Sequence, residues 1–406
     1  MHTLEEVRAE ILAAVPALEA RRTPVAEALG LVLAEPVVAV EPVPPFANTA
    51  MDGYAVQAAD TAGASDDAPV RLEVVGELPA GHAPTVPVGR LQAVRIMTGA
   101  PIPPGADAIV MVERTERAGE HGVLVRAPAE HGDHIRGIGG DVTTGQKVFD
   151  AGTVLGPACL GVLASLGLDE VRAYPRARVG VLSTGDELRE GSGELTPGQI
   201  RDSNRPMLVA LLRDAGCTPT DFGIARDDEQ LVTRRFEQAF ESCDAVITSG
   251  GVSVGDYDVV KAVLERLGGL RWWQIAIKPA KPLAFALLHG TPVFGLPGNP
   301  VSSHVSFELF ARPALLHMMG HSEVHRPRVT ALAATSMPRR SDGKVHFDRV
   351  RVRYEDGCYL AERAAAQASN ALAAMATANG LVVLPDGDGV GEGEPVEVIL
   401  LDRADS

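Results

Sequence analysis

The chain has 406 residues, with 37 Lys and Arg against 53 Asp and Glu and a formal net charge of −16. That length is too great for one ordinary core and predicts roughly two to four domains. The charge argues against nucleic-acid and anionic-membrane partners, so any anionic ligand needs a local basic cluster.

Four scattered cysteines, Cys159, Cys217, Cys243 and Cys358, form no CxxC pair, which predicts reduced thiols rather than disulfides or a zinc site. The start, Met1-His-Thr-Leu-Glu-Glu6, lacks the apolar core of a signal peptide, and no apolar run approaches the ~20 residues of a membrane span. A cytoplasmic location is expected.

Residues 3–20 read as a helix. Thr3 and Glu6 form a capping box, and Val7, Ile11, Leu12 and Val15 share one face. Pro24 predicts the start of a short helix over 24–30, and Glu41–Pro45 a stiff linker. From 43 to 137, short strands near 70–75, 90–96, 107–112 and 122–126 alternate with Pro/Gly-rich turns, the pattern of a mainly β domain. Residues 138–174 contain a Gly-rich start and a short helix over 157–166 but no obvious core, and are expected to pack back on 1–42. From 176 to 318, strands at 178–183, 245–249 and 292–296 alternate with helices at 204–215, 228–242, 257–267 and 300–318. Two more strands, 271–277 and 283–287, are joined by Lys278-Pro-Ala-Lys-Pro282. This alternation predicts an open, doubly wound α/β sheet. The tail returns to strands near 327–333, 345–353, 380–384 and 395–400.

In such a sheet, ligands bind beyond the carboxyl ends of the strands. Three loops occupy that position: Ser183–Leu188, Ser249–Asp258 and Pro297–Ser303. The second, with Ser249, Gly250, Gly251, Ser253 and Gly255, is the most informative. Its glycines let backbone N–H groups converge on one anion ahead of a helix start, and Asp256 and Asp258 beside a phosphate suit Mg²⁺. In the first loop, Ser183, Thr184 and Gly185 suit an anion, and Asp186 and Glu187 suit a cation or a ribose; a turn with solvated acids reads equally well. Arg201 and Arg205 either bond an anion or sit on the surface beside a helix cap. Lys278 and Lys281 bracket a proline-stiffened turn and suit a small oxyanion if an anion site lies close. Asp52-Gly53 and Gly140-Asp141 are turns by default, and Thr98-Gly99 either bonds phosphate or ends a strand. Neither HExxH nor GxSxG is present, so zinc-dependent and serine hydrolysis find no support.

Pro45-Phe-Ala-Asn-Thr-Ala-Met-Asp-Gly-Tyr-Ala55, Arg95–Pro104, Gly140-Asp-Val142, Leu182–Leu188, Gln199–Arg205, Thr248–Asp258, Lys278–Pro282 and Gly295–Ser303 run in order along nearly the whole chain. Together they closely resemble the molybdopterin molybdenumtransferase family, which includes the E domain of gephyrin. The resemblance implies a multidomain α/β plus β fold in an elongated subunit, with a central adenylyltransferase-like domain flanked by β-rich domains. The divisions it implies are 1–42 with 138–175 (dimerisation), 43–137 (β-rich), 176–324 (α/β, molybdopterin-binding) and 325–406 (β-barrel-like).

It further implies Mg²⁺-dependent insertion of molybdate into adenylylated molybdopterin with release of AMP, by a homodimer that meets other molybdenum cofactor synthesis enzymes transiently. The family's functional acids fall on Asp52, Asp141, Glu187, Asp227 and Asp258, with Thr98 nearby; Asp228 matches as well as Asp227. Its molybdate-binding groups fall on Lys278, Lys281, Arg349 and Ser369. Glu187 and Asp258 are the expected metal ligands, and Pro282, Pro297 and Asn299 join the loop residues above as substrate contacts. Lys344 stands where arginine is usual, Asn370 where glycine is usual, and Ala47 where aspartate is common. Two other readings are the adenylyltransferase of the preceding step, which the extra β regions disfavour, and a non-catalytic scaffold, which would not need these acids.

Overall fold

The computed structural model describes residues 1–251 and 258–401. The chain divides into two compact units. One comprises Met1–Thr23, Gly30–Ala34 and Arg172–Ser406, the other Pro24–Leu29 and Glu35–Val171.

The first unit is built on a six-stranded sheet in the order Thr218–Ala225, Arg178–Thr184, Ala245–Ser249, Thr291–Leu296, Pro282–Leu288 and Arg271–Gln274. The first four strands run parallel and the last two antiparallel. The central strands are apolar on both faces, with Val179, Val181, Leu182, Val246, Ile247, Val293 and Phe294 all buried, as a sheet covered on both sides requires. The covering helices show the expected spacing: Leu208 and Leu212 are buried on Asn204–Asp214, Val232, Phe236 and Ala239 on Glu229–Ser242, and Val260, Val263 and Leu264 on Val259–Leu267. The doubly wound sheet expected from the sequence is present.

Four elements differ from expectation. The first helix spans Leu4–Ala14 and keeps its Thr3/Glu6 capping box, but stops before Pro16 because the residue ahead of a proline is pushed out of the helical region. The helix expected over 24–30 is a 3₁₀ turn, Val25–Glu27, too short to bury a face of its own. The expected 300–318 helix is interrupted: Pro300–Ser306 is α, Phe307–Ala311 is π-helical, and Arg312–Met318 is α again. Pro313 has no N–H to return to the preceding turn, and the wider turn falls just before it. The expected 271–277 strand splits, so that Arg271–Gln274 stays in the α/β sheet while Ile277–Lys278 crosses to the tail and pairs with Val345–His346.

The tail forms a closed barrel. Val345–Glu355, Cys358–Arg363, Arg328–Ala333, Pro395–Leu400 and Gly380–Leu384 pair in that order, and the last returns to the first. The leading helix buries Leu4, Val7 and Ile11 in the core shared by the α/β sheet and the 300–318 element. Segments 1–42 and 138–175 meet in two short ladders, Val32–Leu33 on Ala173–Tyr174 and Val37–Val38 on Lys147–Phe149.

The second unit centres on a six-stranded sheet in the order Ala108–Met111, Gly53–Val56, Gln92–Ile96, Val70–Leu78, Gly122–Val125 and Thr115–Arg117. Gly53 lies opposite Met111, and a β-carbon there would overlap the Val110 carbonyl. Packing therefore demands a glycine after Asp52. Gly53→Ala is expected to destabilise the protein by roughly 1–3 kcal/mol, the usual cost of overpacking, measured by denaturant unfolding.

Candidate functional site

In chain order the strands of the α/β sheet run 2-1-3-6-5-4, so the direction of winding reverses between Arg178–Thr184 and Ala245–Ser249. A crevice opens beyond the carboxyl ends of such a pair. Gly250 (φ +96°) and Gly251 (φ +68°) turn the chain there. A β-carbon at Gly250 would stand 2.6 Å from the Thr184 carbonyl oxygen, and one at Gly251 would stand 2.8 Å from Val260 Cγ2 and 3.1 Å from Thr184 Oγ1. Neither position admits a side chain, which leaves room for a ligand beside the turn, although the Gly250 N–H itself donates to the Leu296 carbonyl at 3.1 Å and the Gly251 carbonyl accepts from Lys261 N–H at 3.2 Å. Thr184 Oγ1 and Thr248 Oγ1 are buried without a hydrogen-bond partner among the described residues; such buried polar atoms call for an acceptor or donor from outside. Ser253, Gly255 and Asp256 lie outside the described residues.

Beside this crevice the second and third loops are tied together by the first residue of the helix Asn204–Asp214. Asn204 is buried and donates to Ser249 Oγ and to the Gly298 carbonyl, each at 2.7 Å. The third loop then starts a helix, with Asn299 at its cap and Ser303 N–H donating to the Asn299 carbonyl at 2.9 Å. Pro297 is buried beneath it.

Arg205 is not available to a substrate. It is 6% exposed and bonds Asp202 at 2.9 Å, and also Asp221 and Glu190. Asp202 in turn accepts from Ser183 Oγ at 3.1 Å. Burial alone would lower the guanidinium, but the three carboxylates hold it well above its ordinary value. Arg201 donates to the carbonyls of Gly191 and Gly193 and closes its own loop.

The acids of the first loop meet those that follow Thr218–Ala225. Asp186 N–H donates to Asp227 Oδ2 at 3.3 Å, and Asp227 N–H donates to Asp186 Oδ1 at 3.4 Å. Partial desolvation raises the Asp227 carboxyl, the Asp186 N–H bond lowers it, and the charges of Asp186 and Glu187 raise it further, so it stands above the usual carboxylate range. Asp228 has a different task, capping Glu229–Ser242 by accepting from Leu231 N–H at 2.7 Å. The two adjacent acids, equal in sequence, are thus separated: Asp227 faces the crevice loop and Asp228 serves the helix. Asp258 stands at the cap of Val259–Leu267, its carbonyl accepting from Ala262 N–H at 3.0 Å.

Among the described residues no group of three or more His, Cys, Asp or Glu is arranged to hold a metal by itself. Mg²⁺ typically uses one or two carboxylates and completes its shell with water and phosphate oxygens. The like-charged Asp186, Glu187 and Asp227, with Asp227 pushed toward its neutral form, fit that manner of binding: a cation would relieve their repulsion.

Lys278 and Lys281 are both exposed at the turn that returns the chain from the barrel-paired Ile277–Lys278 to the α/β sheet, and Ala280 between them has φ +72°. Pro282 opens the next strand. In the barrel Arg349 is completely buried. Its Nη2 donates to the carbonyls of Ala366 (2.8 Å) and Ala368 (3.1 Å), while Nε and Nη1 have no partner among the described residues. Burial holds this guanidinium below its ordinary value, partly offset by Asp348. Gln367 clamps the Arg349 backbone, accepting from its N–H at 2.9 Å and donating to its carbonyl at 3.0 Å. The Ser369 carbonyl accepts from Val301 N–H at 3.1 Å, so the barrel loop sits on the helix that follows the third crevice loop. Lys344 bonds Asp342 at 3.0 Å, and Asn370 is exposed with its carbonyl accepting from Leu372 N–H.

Asp52, Thr98 and Asp141 belong to the second unit. Asp52 Oδ1 accepts from both Thr98 Oγ1 and Thr98 N–H at 2.7 Å, and these bonds hold its carboxyl below the usual range. Asp141 is exposed, with its N–H bonded to the Val43 carbonyl at 3.0 Å.

A winding reversal lined with glycines, beside a cluster of acids, marks the chain as an α/β protein with a crevice where such sheets take ligands. Three family models match the chain: the MoeA N-terminal region (domain I and II) over residues 2–167, the probable molybdopterin binding domain over 180–317, and the MoeA C-terminal region (domain IV) over 332–401. Molybdopterin molybdenumtransferase 2 of Mycobacterium tuberculosis is 40% identical over 394 residues, covering 95% of this chain and 96% of the relative. The molybdopterin molybdenumtransferase of Haemophilus influenzae is 37% identical over 401 residues, 98% of each. The crystal structure of the molybdopterin biosynthesis MoeA protein from Pyrococcus horikoshii OT3 matches with a TM-score of 0.80 at 30% identity, covering 98% of this chain and all of that one, at 100%. The chain belongs to the molybdopterin molybdenumtransferase family.

Asn204→Ala is expected to cost roughly 1–3 kcal/mol of stability, because it leaves the Gly298 carbonyl without its buried donor. Denaturant unfolding checks the magnitude. Amide exchange should show faster opening at Ser249 and Gly250 than elsewhere in the sheet.

Proposed function

We propose that this enzyme of molybdenum cofactor biosynthesis inserts molybdate into adenylylated molybdopterin and releases AMP, with Mg²⁺ bound beside the phosphates. The observation that carries the reading is the presence, within one compact unit, of a glycine-lined crevice and of Arg349, a fully buried guanidinium with two nitrogens, Nε and Nη1, that have no partner among the described residues. One suits a phosphate and the other an oxyanion, and the reaction needs both.

In this reading Gly251 presents its backbone N–H to the pyrophosphate, Gly250, whose N–H donates to the Leu296 carbonyl at 3.1 Å, makes room for it, and Thr184 and Thr248 offer their hydroxyls. Lys278, Lys281 and Arg349 hold molybdate as charged donors, with Ser369 beside them. A molybdate oxygen attacks the AMP phosphorus and leaves with AMP, the pterin phosphate keeps the electron pair of the broken P–O bond, and the dithiolene sulfurs bind molybdenum. Asp258, Glu187 and Asp227 would hold Mg²⁺, which supplies charge neutralisation at the phosphate oxygens. Holding two anions together contributes most of the rate, since proximity is worth ~7 kcal/mol or more. Catalytic roles for Asp52, Thr98 and Asp141, a homodimer, the four-domain division, a cytoplasmic location and transient contact with neighbouring enzymes of the pathway belong to the same proposal.

The direct test is release of AMP from adenylylated molybdopterin with and without molybdate. Release should require molybdate and Mg²⁺, and Asp258→Asn should abolish it in a folded protein; release that ignores molybdate would sink the reading. The two anion sites should also separate. Lys281→Ala is expected to raise the molybdate requirement more than about tenfold, the worth of one charge-assisted contact, while sparing pterin nucleotide binding. Gly251→Val should do the reverse, as titrations with molybdate and with nucleotide would show.

A further inference from the structure

Lys278 is exposed, so the direction of its ammonium is set by the backbone that carries it. That backbone is the two-residue strand Ile277–Lys278, at the edge of the barrel sheet with one neighbour: Ile277 pairs with Val345 and Lys278 with His346. The Val345 N–H also donates to the Ala276 carbonyl at 2.9 Å. A strand this short holds no place by itself. Lys278 therefore stands where the barrel edge at Val345–His346 stands.

One carboxylate holds that edge. Asp342, in the loop that leads into Val345–Glu355, accepts from His346 Nε2, at 3.2 Å to each oxygen, and from Lys344 Nζ at 3.0 Å. His346 is buried, and as a ladder partner it puts its ring on the face of the sheet from which Lys278 projects. Asp342 is itself anchored by Arg339, whose side chain is only 2% exposed. The Arg339 guanidinium donates to Asp342 at 2.9 Å, to Asp386 at 3.0 Å, and to the carbonyls of Lys344, Leu384 and Pro385 at 3.0, 2.8 and 2.7 Å. The Asp342 N–H donates to Asp386 at 3.0 Å and closes the network. Desolvation would raise the Asp342 carboxyl, but the Lys344 and His346 bonds outweigh it and bring it down to about 2. With three side-chain donors on its two oxygens, this carboxylate is filled. It has no open oxygen to draw in the Lys278 ammonium, which stays available to a ligand.

We propose that Asp342 is a positioning residue for Lys278: it fixes His346 and Lys344, and with them the strand edge from which Lys278 meets the oxyanion. This rests on the assignment of Lys278 to molybdate. Asp342 acts only through that edge, so its loss lets the Lys278 strand drift and leaves the glycine-lined crevice as it is.

The test is a double-mutant cycle in the intact protein, reading the molybdate dependence of AMP release from adenylylated molybdopterin in Asp342→Ala, Lys278→Ala and the pair. Asp342→Ala should raise the molybdate requirement at least about threefold, with the rate at saturating molybdate and the affinity for AMP little changed. In the Lys278→Ala background the same change should have no further effect, which a general loosening of the barrel would not reproduce. If Asp342→Ala does not fold, Asp342→Asn and His346→Gln run the same cycle. A Lys278→Ala protein with an unchanged molybdate requirement would remove Lys278 from the molybdate site, and this proposal with it. If Lys278→Ala raises the requirement but Asp342→Ala does not, or if the two effects multiply independently, the assignment of Lys278 stands and the positioning role of Asp342 is wrong.

Discussion

At the carboxyl end of Ala245–Ser249 the backbone turns so close to Thr184 that Gly250 and Gly251 leave no room for a β-carbon. The close approach is possible because two parallel strands, Arg178–Thr184 and Ala245–Ser249, run side by side in register, with Ser183 opposite Ser249. Both strands are buried on both faces, so a slip of one residue would set each side chain against the wrong layer of packed neighbours. The site is therefore a by-product of how the core must pack, and the chemistry is added by what each loop carries past the last ladder bond.

Holding those loops still falls to buried polar groups. Asn204 links the second and third loops, and Arg205 gathers Asp202, Asp221 and Glu190 around the first. Buried ion pairs are weak evidence for stability, because desolvation offsets much of the Coulomb gain, but removing one partner leaves a charge stranded. Their value here is positional: Ser183 is fixed through Asp202. At the barrel, Gln367 performs the corresponding task for Arg349 through its two backbone bonds.

Much of this was legible in the sequence because burial writes itself as pattern. Continuous apolar runs marked the central strands, and helical spacing marked Glu229–Ser242 and its neighbours to within a residue or two. What stayed hidden was placed by tertiary context. Thr218–Ala225 carries Pro219 and Asp221 and shows no clean alternation, which an edge strand tolerates and a central strand would not. Arg349, in a strand of alternating charges, reads as solvated, yet the barrel closes over it. Asp227 and Asp228 cannot be told apart by type or spacing; only the helix that begins at Glu229 decides which carboxylate is spent as a cap. Arg205 reads as either an anion ligand or a surface arginine and is neither, because the acids that consume it are 3, 15 and 16 residues away in sequence.

The central claim is that the crevice beyond Ser249 holds the phosphates of the nucleotide half of the substrate. A crystal structure of the protein with AMP and Mg²⁺ tests it most directly. The phosphate should lie within hydrogen-bond distance of the Gly251 N–H and the Thr184 and Thr248 hydroxyls, with the cation between it and the carboxylates of the neighbouring loops. A phosphate seated instead against Asp52 and Thr98, with the Gly250–Gly251 turn untouched, would contradict it.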